Sequence, residues 1–578
     1  MAKVGSFLLV LHSHFPYVLS HGRWPHGTDW LCEGVTETYI PLLNSLTRLE
    51  EEGYKPRVTL SFSPIVLEQL AHPDFHEELR VYLAHKKELA ITDIDYFAKL
   101  GEEGLSEMAA WWRDWYEARI QDFEVKYNGD LVGAFRKLQD DGVLEIGCAG
   151  ATHGYLPLLS LDTSVQAQVK VAKASYERHF GRAPRAFWMP ECAYRPRYEW
   201  TPPLPIEGWD APRLRKGVDE FLSEEGLWAT FVETSLLTGG KTLGNYAERF
   251  QGLKDLWQQF EQQYAPRKLE EERSCYSAYL TSSDPLGHAP VAIFARDPEA
   301  GMQVWSGDWG YPGDPEYLDF HKKHWPGGLR YWKVTHSKAD LGAKGNYSLQ
   351  AAASRLPEHA DHFHSLVKQS LALHAQELGD KALVCAMFDT ELFGHWWFEG
   401  CDWLYEMLKR MAQDEEIELA SASDYVQAHP PTVSVALPEG SWGEGGFHWV
   451  WLNEETEWTW RLIYEAEARF AKALDRDLNA LDELSDRLLK QAARELLLLQ
   501  SSDWQFLITT RNTADYGAAR LKLHYEAVSK LLASFEKHLE GQPYMAEDLA
   551  FLADVEAQDD VFADLDLAWF AKLDHPAC

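Results

Sequence analysis

The 578-residue sequence predicts an α/β barrel carrying an inserted subdomain and followed by an all-helical C-terminal domain. Three observations carry that prediction. Short apolar runs ending in polar residues alternate with helical stretches; this rhythm breaks after residue 196; and a leucine-rich helical pattern takes over beyond residue 425. Strands alternating with helices read as parallel βαβ units. Functional groups at the carboxyl ends of such strands build the active face of a (β/α) barrel.

The first run, SFLLVLHSH, ends in His12 and His14. The second, RVTLSFS at 57–63, is followed by a helical stretch at 65–70, and VLEIGC at 143–148 leads to Thr152-His153-Gly154. An amphipathic segment at 165–180 precedes RAFWMP, which delivers Glu191. Another at 363–378 precedes ALVCAMF, which delivers Asp389. Between them, Pro202-Pro203-Leu204-Pro205, Gly239-Gly240 and the charged run 268–273 interrupt the alternation, which resumes at VAIFAR, 291–296. The expected organisation is therefore a first barrel part at 1–196, an inserted subdomain over the active face at 197–290, a second barrel part at 291–425 and a helical domain at 426–578. In the last, Leu474, Leu478, Leu481, Leu484, Leu488 and Leu489 fall on one face at helical spacing.

With 46% hydrophobic residues the chain can bury a large core. Ninety acidic against 55 basic residues give a net charge of −35, which repels a phosphate backbone and argues against nucleic acid as a partner. The seven cysteines are scattered and contain no CxxC pair, so neither a zinc ribbon nor a disulfide framework is indicated. The apolar run at 7–11 is too short for a signal peptide, and no segment has the length of a membrane span, so the cytoplasm is the expected location. The 24 Trp, 25 Tyr and 26 Phe suit the apolar faces of sugar rings, but they also suit a large core, and composition does not separate the two.

Glu191 follows an aromatic strand and a proline that ends it, in Trp188-Met189-Pro190-Glu191-Cys192-Ala193-Tyr194; a loop cap or a pairing with Arg195 is the alternative to a catalytic role. Asp389 stands at a later strand end, with Glu391, His395, Trp396 and Trp397 close behind. Two carboxylates from different strands of one barrel meet across its mouth, as glycoside chemistry requires. An aromatic neighbourhood is expected to raise the pKa of Asp389. His12 and His14, two apart on one strand, share a face, and His153 can join them to hydrogen-bond sugar hydroxyls or to hold a divalent metal.

These segments, with Ser502-Asp503-Trp504, stand in the order of the signature regions of glycoside hydrolase family 57, and the chain resembles that family over nearly its whole length. The helical region carrying Ser-Asp-Trp is most similar to the 1,4-α-glucan branching enzyme subgroup; the family's α-amylases and 4-α-glucanotransferases are the alternative. The resemblance implies an incomplete (β/α)7 barrel and an α-glucan substrate. It implies a retaining reaction with Glu191 as nucleophile and Asp389 as proton donor, and no required metal or cofactor. It further implies substrate contacts from Arg296, Gly313, Trp442, Asp503, His12, His14 and His153. Trp451, Trp458 and Trp460 lie near Trp442 in sequence, with at least two of the three expected to be core. A gating tyrosine is expected within 251–279, where Tyr264, Tyr276 and Tyr279 all qualify.

Overall fold

A computed structural model describes residues 3–205, 211–239, 251–260, 268–269, 272–284, 287–307, 309–336, 338–542 and 546–575. Its strands are β1 (Gly5–Ser13), β2 (Val58–Phe62), β3 (Leu144–Ala149), β4 (Ala186–Trp188), β5 (Tyr198–Trp200), β6 (Arg213–Arg215), β7 (Ala229–Val232), β8 (Tyr279–Thr281), β9 (Val291–Ala295), β10 (Ala382–Asp389) and β11 (Ile417–Leu419). Among the described residues, seven of them run parallel in the order β10-β1-β2-β3-β4-β7-β9, with β8 antiparallel on the outer edge of β9.

The strands read as unbroken apolar runs because both faces are covered: every residue of β1 is buried. One face packs against helices. The other turns inward, where Leu8 and Val10 of β1, Trp188 of β4, Phe231 of β7, Phe294 of β9 and Met387 of β10 form a single apolar cluster. Strands from opposite ends of the sheet order share that cluster, so the sheet is curled into a barrel. The curl stops short of a continuous ladder. Just beyond β9, the Asp297 amide donates to the Cys385 carbonyl of β10 at 2.7 Å. The seven-stranded, incomplete barrel expected from the resemblance is what forms.

Three features depart from the sequence reading. The segment 197–290 is not wholly an insertion, because it supplies β7, which pairs with β4 through Ala229 and Thr230 and with β9 along all four of its residues. Four residues are too few for periodicity to reveal. A helical hairpin, Pro73–Lys99 and Glu103–Gln121, stands between β2 and β3, and the irregular stretch 306–348 packs against it, with Trp112 Nε1 donating to the Arg330 carbonyl at 2.7 Å. The leucines from 474 to 489 do not lie on one helix. Glu457–Leu474 ends there, and Glu483–Leu499 starts anew under the cap of Asp482, whose carboxylate accepts from the Ser485 amide at 2.8 Å.

The helical C-terminal region continues with Asp503–Thr510, Ala514–Leu539 and Ala546–Gln558. It is seated against the carboxyl end of the barrel, where the Ser502 amide donates to the His153 carbonyl and Gly154 bridges Ser501. The stretch between β11 and the helix at 457 is only partly helical and loops back over the same face. No helix among the described residues is long and apolar enough to cross a membrane.

Candidate active site

Six strand ends deliver side chains to one mouth: His12 and His14 from β1, His153 beyond β3, Glu191 beyond β4, Glu233 beyond β7, Arg296 beyond β9 and Asp389 from β10. Period-2 alternation explains the aim. Leu8, Val10 and His12 share one face of β1, Leu383, Cys385, Met387 and Asp389 share one face of β10, and His12 and Asp389 are register partners.

Glu191 leaves its strand on a 3-10 turn with φ of 62°, followed by Cys192 at 48°; His153 stands at 59°. Non-glycine residues in the left-handed region are costly and gather at functional sites. The Glu191 carboxylate accepts from Trp442 Nε1 at 2.7 Å and from Ser502 Oγ at 3.3 Å, with His153 Nδ1 3.8 Å away. The Trp442 amide also donates to the Glu191 carbonyl at 3.0 Å, so backbone and side chain of the two segments are fastened together. Burial is the main force on this carboxyl and pushes its pKa up to about 8. The Trp442 bond opposes the rise, while the charges of Asp389 and Asp503 add to it. Asp389 is half-buried, and the reach of its charge to Glu191 couples the two carboxyls across the mouth. A raised pKa is found at Glu191, driven first by its burial. Arg195 does not meet Glu191; it pairs at a distance with Asp162.

The three histidines form a stack. His12 lies flat on Trp188 at 4.8 Å, and His14 on His153 at 4.0 Å. His12 Nε2 and His153 Nε2 are 2.9 Å apart, His153 Nδ1 meets Ser502 Oγ at 2.8 Å, and His14 bridges Ser63 Oγ and Asp503 Oδ2, each at 2.8 Å. Burial, then the neighbouring imidazoles, hold His12 and His153 well below the usual histidine range. Asp503 is held low despite its burial by the His14 charge and hydrogen bond. The Nδ1 of His12 is buried and finds no hydrogen-bond partner among the described residues. On the opposite wall Arg296 pairs with Glu233 at 2.6 Å and lies 5.8 Å over the Trp442 ring.

The structure thus brings His12, His14, His153, Glu191, Arg296, Asp389, Trp442 and Asp503 into one cleft. Gly313 is not among them: it lines a cavity of about 420 Å³ with Trp309, Tyr311, Asp314 and His359, none of them a residue of the cleft, and a Cβ there would meet the Gly307 carbonyl at 2.1 Å. Trp451 and Trp460 are core, as expected of two of the three. Tyr276 and Tyr279 are built into the sheet: the Tyr276 carbonyl accepts from the Leu383 amide, and Tyr279 is the first residue of β8. Tyr264 lies outside the described residues. Sequence reasoning missed Glu233, Ser502 and the work of Glu391, which accepts from the His14 amide at 3.1 Å and from Tyr39. Ser502 sits inside a motif already singled out, and its neighbour drew the attention.

The chain matches the model of glycosyl hydrolase family 57 over residues 8–438. The chain belongs to that family. Residues 462–570 match a second model, the C-terminal domain of 1,4-alpha-glucan branching enzymes. A relative from Thermococcus kodakarensis, 1,4-alpha-glucan branching enzyme TK1436, is 38% identical over 559 residues, spanning 96% of this chain and 77% of the relative. The crystal structure of a GH57-type branching enzyme from Pyrococcus horikoshii superposes with a TM-score of 0.87 at 37% identity, covering 100% and 98% of the two chains. The alpha-amylase AmyC of Thermotoga maritima follows at 0.78 and 27%, covering 98% and 99%.

Proposed function

We propose that this family 57 chain is a 1,4-α-glucan branching enzyme that works by retaining double displacement, with Glu191 as nucleophile and Asp389 as proton donor and base. The observation that carries the nucleophile role is the fixing of Glu191: Trp442 Nε1 and Ser502 Oγ hold its carboxylate in one orientation, as an in-line attack on an anomeric carbon demands. Asp389 protonates the departing glycosidic oxygen and then takes the proton of an incoming 6-hydroxyl, so that an α-1,4 linkage is broken and an α-1,6 branch is formed with retention. Glu191 must be anionic to attack. The positive charge developing at the anomeric carbon favours that form against the burial that opposes it.

His12, His14, His153 and Asp503 bind the donor sugar, Arg296 and Trp442 form the facing wall, and Gly313 is a further contact to the glucan. Residues 462–570 match the model of the branching-enzyme C-terminal domain, and the relative at 38% identity is named a branching enzyme, which supports transfer over hydrolysis. The reading includes a glycogen-type polymer made in the cytoplasm, where the six described cysteines, all buried and free, remain reduced.

The test is linkage analysis of amylose after incubation with the purified protein. New α-1,6 linkages with little reducing sugar are expected; reducing ends without branches would assign it to hydrolysis instead.

A further inference from the structure

The backbone ladder between β1 and β10 ends with the pair His12 and Asp389, and side chains carry the same register onward. Ser13 gives its hydroxyl to Thr390 Oγ1 at 2.8 Å, and the His14 amide donates to Glu391 Oε1 at 3.1 Å. Two further residue pairs are thus joined after β10 has turned into the 3-10 segment Thr390–Leu392, whose N-cap is Asp389. Ser13, Thr390 and Glu391 are all buried, so these bonds supply partners that water cannot.

A third element closes the arrangement. Tyr39 ends the π-helical turn Val35–Tyr39 and is fully buried, and its hydroxyl donates to the same Glu391 oxygen. That turn is fastened to the loop following β10. There the His395 amide donates to Thr38 Oγ1 at 3.1 Å, and Gly394, at φ of 111°, runs so close that a Cβ would collide with the Glu37 carbonyl. Single π turns inside helices are rare and gather at functional sites. One carboxyl oxygen therefore holds together the end of β1, the helix after it and the segment that leaves β10. Burial pushes the Glu391 carboxyl up to about 8; the Tyr39 bond opposes the rise and the Asp389 charge adds to it, so the two carboxyls lie within each other's field.

We propose that Glu391 is a positioning residue for the reaction, the clamp that fixes Asp389 at the end of β10 against His14 at the end of β1. The inference rests on the reading of Asp389 as proton donor. Asp389 loses a proton and regains it in each turnover, so hydrogen bonds to its own carboxyl change with its charge. A clamp built on the residues next to it in the chain keeps its place through both states. A general acid needs that constancy, because it must stay within hydrogen-bond reach of the oxygen it protonates. Glu391 acts through Asp389 and is not itself a catalytic residue.

The test compares two donors. Amylose needs its leaving oxygen protonated, whereas α-maltopentaosyl fluoride expels fluoride ion, which takes no proton as it leaves. Glu391→Leu removes the acceptor oxygen, Glu391→Gln keeps it, and Asp389→Ala is the reference for a lost proton donor. Glu391→Leu should lower kcat/KM on amylose by about a hundredfold, the loss lying in kcat, while fluoride release stays within about threefold of the wild type. Tyr39→Phe, a milder cut at the same oxygen, should show the same split between donors with a loss of about tenfold on amylose. Glu391→Gln should restore most of the amylose rate. Equal losses on both donors for the Leu and Phe variants, with Asp389→Ala still sparing fluoride release, would show that the clamp serves the fold or His14 and would overturn the proposal. So would a Gln variant as impaired as the Leu variant, or a Leu variant as active on amylose as the wild type. If Asp389→Ala loses both donors alike, the proton-donor reading itself fails and takes this inference with it.

Discussion

Glu191 binds a proton in the folded protein up to about pH 8, against an ordinary value of 4.5, chiefly because it is buried. Two outcomes follow at the scale of this one residue. As nucleophile it must be ionised, so kcat/KM on amylose should climb with pH through the neutral range toward about 8; a flat profile there would remove Glu191 from the role. Trp442→Phe deletes the indole donor that lowers this pKa, and the climb should move to higher pH with a fall in kcat of about tenfold to a hundredfold, the worth of one charge-assisted hydrogen bond. The linkage to stability has a definite sign. Between 4.5 and about 8 the folded state holds a proton that the unfolded chain has released, so this group's contribution to stability is lost as pH rises through that window. Glu191→Gln should therefore abolish both transfer and hydrolysis yet raise the thermal midpoint at about pH 8 and above, with little change at about pH 4. Equal midpoints across that range would show that the carboxyl is not burdened by its burial.

At the scale of elements, the barrel is weakest where it fails to close. The strand β9 reaches β10 through the Asp297 amide, and the Asp297 carboxylate caps the helix Pro298–Trp305 by accepting from the Ala300 amide at 2.6 Å. That helix ends in Trp305, whose ring faces Trp442 at 6.3 Å. Asp297→Ala should cost about 1 kcal/mol through the lost cap, read as a lowered denaturant midpoint, and should lower kcat more than it raises KM because Trp442 is displaced. A variant with unchanged midpoint would show that the seam carries no load. The elements legible in the sequence were those with long apolar runs or clear helical period: β1, β2, β3, β10 and the helix Asp162–Phe180 all stand near their expected places. The four-residue β7 was not legible, since so short a run has no period to detect. The leucines from 474 to 489 matched a helical face by spacing alone, although Asp477 and Asp482 cap separate turns between them.

For the whole molecule, the cleft has two halves from opposite ends of the chain, tied by polar bonds: His14 to Asp503, His153 to Ser502, Tyr17 OH to the Gln558 carbonyl at 3.0 Å and His21 to Asp559 at 2.6 Å. Barrel and helical domain should accordingly unfold in one calorimetric transition, and two resolved transitions would show that the halves are independent. The sequence by itself determined the barrel class, the strand-end positions of Glu191 and Asp389, and the helical character of the C-terminal region. Apolar runs, strand-ending residues and helical periodicity are properties of neighbouring residues along the chain. Only the tertiary structure decided that Trp442 and Ser502, 251 and 311 residues away, would grip Glu191, that Glu191 would carry the raised pKa, and that Arg195 would be buried beside another arginine. Burial, hydrogen bonding and charge proximity depend on which distant segments meet, and no local pattern encodes that meeting.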